Sequence, residues 1–234
     1  LAAGVRPFEG AHRDAFYDWV MDLPARGGTP LRRATQRAGE YFQTAEPYLN
    51  APDDANSDMA ACRQSYHILM TDGVWNGQLD DYPGNVDNRS HTLPDGKTYT
   101  PRPPFQDRAA DTIADLAFQF WLNDLQPDLD DEVPAYFPHQ EGSADDNYWN
   151  PRNNPATWQH MVNFTVSFGL SSSLQNPRWG GNTYGGGYNA LAAGTKAWPE
   201  AKYEVDWLGN GHPDNVSDLW HAAINSRGEF YSVD

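Results

Sequence analysis

A chain of 234 residues with nine Trp, 12 Tyr and 10 Phe carries enough bulk for a real core, which excludes intrinsic disorder and fits one large domain. Its 32 Asp plus Glu against 16 Lys plus Arg set the net charge at -16, so a nucleic-acid phosphate surface is repelled and cations or basic partners are favoured. A single cysteine, Cys62, excludes an internal disulfide framework, and no stretch of about 18 apolar residues is present to span a membrane.

The opening LAAGVRPFEG lacks the apolar core of a signal peptide, so any export signal is expected upstream. Phe16, Trp19, Val20 and Leu23 fall at helical spacing in residues 11–23, predicting a helix that Pro24 closes and whose apolar face packs on something flat. Thr29 and Pro30 read as the cap and first position of a second helix ending near Phe42. APDDANSDMA is a solvated acidic loop, and SYHILM is a near-continuous apolar strand of the kind covered on both faces of a parallel sheet. That strand runs into Asp72 and Gly73.

From Trp75 to Phe105 the chain is rich in Gly, Pro, Asn and Asp and reads as an insertion. Ile113, Leu116, Ala117, Phe120 and Trp121 then line one side of a long helix over about 107–124, starting near Asp107 or Asp111. QHMVNFTVSFGL is a second central strand, stopped by Gly169. A second polar insertion covers about 171–208, followed by a helix from Ser217 to about Asn225, a turn at Gly228 and a last strand EFYSV. Strands alternating with helices predict an α/β fold with a mostly parallel sheet and helices on both faces.

Ligands bind open α/β sheets at the carboxyl ends of strands, and Asp72 stands at one. With Thr29 at a helix mouth, a hydroxyl and a carboxylate could face one point, a donor pair suited to Mg²⁺ or Ca²⁺ rather than to zinc. Taken alone, such a Thr is most often a helix cap and an Asp before Gly most often a turn residue, so local sequence by itself favours those roles for Thr29 and Asp72.

GGTPL at 27–31 followed by ILMTDG at 68–73 resembles the von Willebrand factor A domain, whose adhesion-type metal site takes a Thr from the first motif and an Asp from the second. CRQSYHILMTDGVWNG, DTIADLAFQFWLNDLQPDLDDEVP, PATWQHMVNFTVSFGL and DLWHAAINSRGEFYSV resemble PilY/PilC-type proteins, type IV pilus tip-associated adhesins and biogenesis factors of Gram-negative bacteria. The resemblance implies a partial von Willebrand A-like (Rossmann-like) domain over 1–234. It also implies an exported protein at the pilus tip, cell surface or outer membrane, and an adhesion and pilus-assembly role without catalysis. Its expected partners are minor pilins or a host or abiotic surface. The Asp-x-Ser-x-Ser motif that completes such a site does not precede GGTPL. The first strand is therefore expected upstream, with 1–8 a later strand of the same sheet, and Thr29 and Asp72 form an incomplete site.

Asp80, Asp81 and Asp87 in DDYPGNVDN could wrap Ca²⁺, although their spacing does not match the helix-loop-helix pattern, and a solvated loop is the alternative. A metal-assisted hydrolase using the acidic loops is the alternative function. Against it, Ser217, Asp218 and His221 lie on one helix and cannot form the line of a triad. His67, His160 and His221 suit packing roles. Trp75, Tyr82, Trp149, Trp179, Tyr184 and Tyr188 are either contact anchors or caps over the core.

Overall fold

Three parallel strands form the central sheet of the computed structural model: β1 (Ser65–Thr71), β4 (Met161–Phe168) and β5 (Phe230–Val233), in the order β1-β4-β5. A small antiparallel ribbon, β2 (His91–Thr92) with β3 (Thr98–Tyr99), lies between the first two in sequence. The structure describes residues 7–24, 28–51, 54–203 and 212–234. Most of the strand expected at 1–8, Gly27 of the GGTPL motif and the end of the second insertion fall outside them. Among the described residues six helices accompany the strands: α1 (Gly10–Met21), α2 (Leu31–Phe42), α3 (Ile113–Leu122), α4 (Ala144–Trp149), α5 (Tyr188–Ala192) and α6 (Val216–Asn225). No helix among the described residues is long and apolar enough to cross a membrane. The α/β class and the parallel sheet are as the sequence predicts.

The two sheet crossovers are β1 to β4 through α3 and β4 to β5 through α6. Helix α3 is apolar nearly all round, so Ile113, Ala117, Phe118 and Trp121 are fully buried between the sheet and the loops outside it. It starts later than the sequence suggests. Thr112 is its cap, accepting from the Asp115 amide at 2.9 Å, while Asp115 accepts from the Thr112 amide at 3.0 Å. Asp107 and Asp111 lie outside the helix, Asp111 with a left-handed φ of 61°. Helix α2 packs on α3, where Gly39 leaves room for the Phe120 ring.

Two local readings need correction. Pro30, not Thr29, is the cap position of α2, and no side chain caps that end. Helix α1 forms where the spacing predicts but buries none of its residues, so the flat surface expected under Trp19 and Val20 is not among the described elements. The packed helices α2, α3 and α6 share one face of the sheet.

The stretch 75–105 is no solvated flap. Trp75, Leu79, Val86, Leu93, Tyr99 and Phe105 are buried, most of them in the main core beside Phe118 and Trp121. Trp149 and Tyr188 are buried too, and Trp179 and Tyr184 pack against the core, which leaves Tyr82 alone of the six loop aromatics as an exposed ring.

Candidate functional site

The carboxyl end of β1 is built from two loops far apart in sequence. Thr71 ends the strand, and its Oγ1 both donates to the Gly73 carbonyl at 2.9 Å and accepts from the Gly73 amide at 3.3 Å. This small turn holds Asp72 outward in solvent. Four residues on, the Asn76 amide donates to the Thr29 carbonyl at 3.0 Å, and the Thr29 amide returns a bond to Asn76 Oδ1 at 3.2 Å. The mouth of α2 is thereby tied to the loop that carries Asp72.

Glycine makes that approach possible. A Cβ on Gly28 would stand 2.5 Å from Asn76 Oδ1, and Gly77, at φ 94°, passes against Pro30. Arg32 sews the loops together from beneath: its guanidinium donates to the carbonyls of Gly77 at 2.8 Å and Asp111 at 2.9 Å, and it stacks over the Tyr203 ring at 3.8 Å. The Thr29 hydroxyl and the Asp72 carboxylate are hard oxygen donors on adjoining loops, which suits Mg²⁺ or Ca²⁺ chemically. They are only two of the six or more ligands such ions take. Among the described residues no three His, Cys, Asp or Glu side chains are grouped to hold a metal.

The three carboxylates of the acidic loop have separate engagements. Asp80 pairs with Arg33 at 2.9 Å and Arg37 at 2.7 Å on α2. Asp81 is exposed, its Oδ1 accepting from the Tyr82 amide at 3.0 Å. Asp87 is fully buried. Ser217, Asp218 and His221 likewise turn to different partners: the Asp214 carbonyl, the first amides of α3, and a pair of buried aspartates.

The chain is 48% identical over 234 residues to the type IV pilus biogenesis factor PilY1 of Pseudomonas aeruginosa strain PAK, an alignment covering 98% of this chain and 19% of that protein. PilY1 of strain PAO1 is 47% identical, with 98% and 20% covered, and PilY1 of strain UCBPP-PA14 is 48% identical, with 97% and 19% covered. The homology to PilY1 is strong. The chain spans about a fifth of the length of these relatives. No protein-family model and no solved structure matches it.

This PilY1-like chain also holds a buried ionic cluster that sequence reasoning missed. His221 on α6 stacks on Trp198, its Nε2 lies 2.6 Å from the Phe105 carbonyl and 3.5 Å from Asp87, and its Nδ1 lies 3.4 Å from Asp107. Asp87 in turn accepts from Asn225 at 2.9 Å and from the Asp107 amide at 3.0 Å. Burial alone would lower the His221 pKa, but Asp107, Asp87 and the Phe105 carbonyl together raise it to about 9. Burial pushes Asp87 up to about 7 against the opposing pull of His221.

Both folded values lie above the ordinary ones, so both groups stabilise most at low pH. The Asp87 contribution is lost as pH rises from 3.8 through about 7, and that of His221 as it rises from 6.5 through about 9. Unfolding free energy should therefore fall by on the order of 3–4 kcal/mol between pH 6.5 and 9.5, and His221→Asn should flatten that slope. Denaturant titrations of both proteins across the range check it; parallel slopes would mean that His221 is neutral in the fold.

Proposed function

We propose that the chain is the adhesion and assembly module of a type IV pilus tip-associated protein, a von Willebrand A-like domain that binds a surface or a partner protein such as a pilus subunit without catalysis. The homology to PilY1, named as a type IV pilus biogenesis factor, over nearly the whole chain carries this reading. On this reading the protein works outside the cytoplasm, at the pilus tip, cell surface or outer membrane. The binding point is the carboxyl end of β1, where Thr29 and Asp72 supply two ligands to a Mg²⁺ or Ca²⁺ ion. The remaining ligands come from outside these 234 residues and from a carboxylate of the bound partner.

Asp72→Ala in the full-length protein should then abolish the heat of magnesium binding and cut metal-dependent surface attachment at least tenfold. Because Asp72 is exposed and Thr29 caps nothing, neither Asp72→Ala nor Thr29→Ala should cost more than about 0.5 kcal/mol of stability. Magnesium calorimetry on wild type and both variants decides the matter, with thermal unfolding as the control. Equal heats for all three would remove the cation from the reading and leave the pilus role to be tested by piliation alone.

A further inference from the structure

Two arginines line one cleft, and neither is paired with a carboxylate there. The cleft, of about 530 Å³, opens at the amino ends of β1 and β4, where the Tyr66 and Phe164 rings stand 5.8 Å apart. Residues 134–139 form another wall, strapped to residues 152–154 by two backbone bonds of 2.8 Å between Tyr136 and Asn154. Arg152 lines the cleft from that second segment, half-buried, with its guanidinium stacked over the Tyr184 ring at 4.5 Å. Arg227 lines it from the turn after α6. Glu229 is the one carboxylate among the lining residues, and it accepts from the Tyr231 hydroxyl.

Arg227 is nine-tenths buried, yet its Nε, Nη1 and Nη2 atoms donate to nothing among the described residues. A charge taken out of water without an acceptor is costly, so buried guanidinium groups are ordinarily hydrogen-bonded or paired. What holds this one is aromatic: it lies 4.2 Å from the Trp121 ring and 4.3 Å from the Phe105 ring. Such rings take the flat face of a guanidinium and leave the N–H groups on its rim for an acceptor. Trp121 also donates to Oδ1 of Asn154, a lining residue, at 3.1 Å, which ties the arginine's cage to the cleft wall. Burial lowers the Arg227 pKa to about 10, opposed first by Tyr184, another lining residue, so the group stays charged at neutral pH. The backbone does not call for arginine here, because at a φ of 66° Gly or Asn would cost less.

We propose that this cleft binds a single peptide carboxylate of a partner protein, from a chain terminus or an Asp or Glu side chain, with Arg152 and Arg227 as its donors. Arginine holds a carboxylate through two parallel N–H bonds, and the aromatic walls take the apolar residue beside it. Charge favours one carboxylate over a polyanion. The net charge of -16 repels a phosphate-rich chain over most of the surface, whereas exposed charges are screened beyond about 8 Å, so a lone carboxylate inside the cleft meets the two cations first. The site stands at the opposite end of β1 from Asp72 and does not rest on the proposed cation.

The test uses the full-length protein and three photoreactive probes. N-acetyl-p-benzoylphenylalanine ends in a free carboxylate, N-acetylaspartyl-p-benzoylphenylalaninamide carries one on a side chain, and N-acetyl-p-benzoylphenylalaninamide has none. After irradiation, mass spectrometry should find at least one of the two acids attached within residues 134–139 or at Tyr66 or Phe164, at least tenfold above the amide and suppressed by excess acetate. Which acid labels tells a chain terminus from a side chain. Arg152→Ala should cut the labelling at least tenfold, and Arg152→Lys should restore part of it. Arg227→Met should cut it equally while keeping the wild-type Tm, since it removes an unpaired buried charge and leaves an apolar body against the rings. Should Arg227→Met fail to fold, the Arg152 pair decides. Equal labelling by acid and amide, full labelling of Arg152→Ala, or no label in the cleft from any probe would overturn the proposal. So would competition by inorganic phosphate at concentrations where acetate has no effect. Magnesium heats measured on Arg152→Ala should match wild type, which separates this site from the one at Thr29 and Asp72.

Discussion

Gly228→Ala should lower the free energy of unfolding by about 3 kcal/mol or more. A Cβ at that position would stand 1.9 Å from the Asn163 carbonyl oxygen and 2.7 Å from its carbon. Both are backbone atoms of β4, held in the middle of the sheet with β1 on one side and β5 on the other. They cannot yield without opening the ladder. The chain has no alternative route here, because α6 ends on Ser226, Arg227 takes a left-handed φ of 66°, and the Gly228 amide closes the helix by donating to the Ala223 carbonyl at 2.8 Å. Gly73→Ala is the control. A Cβ there meets nothing within 4 Å, so its urea midpoint should match wild type. Matching midpoints for both variants would show that β5 can move away from β4 at little cost.

Asp218→Ala should cost about 3–5 kcal/mol. The Asp218 carboxylate accepts from the Ile113 amide at 2.8 Å and the Ala114 amide at 3.0 Å, so a side chain of α6 satisfies the first free donors of α3. It also accepts the Tyr203 hydroxyl. Removing it strands three donors in the interior, where water cannot replace it. Asp218→Asn keeps one oxygen but turns an NH₂ toward a second donor, so about half the loss is expected. Denaturant unfolding gives the totals, and amide exchange at Ile113 and Ala114 shows whether the loss arises at the helix start. Unchanged exchange there in Asp218→Ala would place the cost elsewhere.

The strands β1 and β4 and the helices α3 and α6 were legible in the sequence because each carries its own signal: a dense apolar run for a strand, or apolar residues recurring once per turn for a helix. Asp72 could be placed at a strand end for the same reason, since it follows SYHILMT directly. The Thr29 loop and the Asp72 loop could be paired only through a resemblance. Their closeness in space depends on the Asn76 bonds and on Arg32, neither of which has a local sequence signature.

Burial of polar and turn-rich segments was hidden. The stretch 75–105 looks solvated because its Gly, Pro, Asn and Asp residues set turns, and a turn reads alike whether it lies in water or folds its Trp75 and Phe105 inward. Asp87 and Asp115 are written as any surface aspartate would be. Their burial follows from partners 20 or more residues away: the Val86 amide for Asp115, and His221 and Asn225 for Asp87. Helix α1 shows the same division, because periodicity specifies an apolar face but not what will lie against it.

The sheet shows it most clearly. By itself the sequence determined that β1 and β4 are strands, what residues alternate along them, and that the protein is an acidic α/β fold. Only the tertiary structure decided that the helices cover the Thr165 face and leave the Ile68 face bare, because alternation is a property of one strand, whereas covering depends on the handedness of the connections between strands.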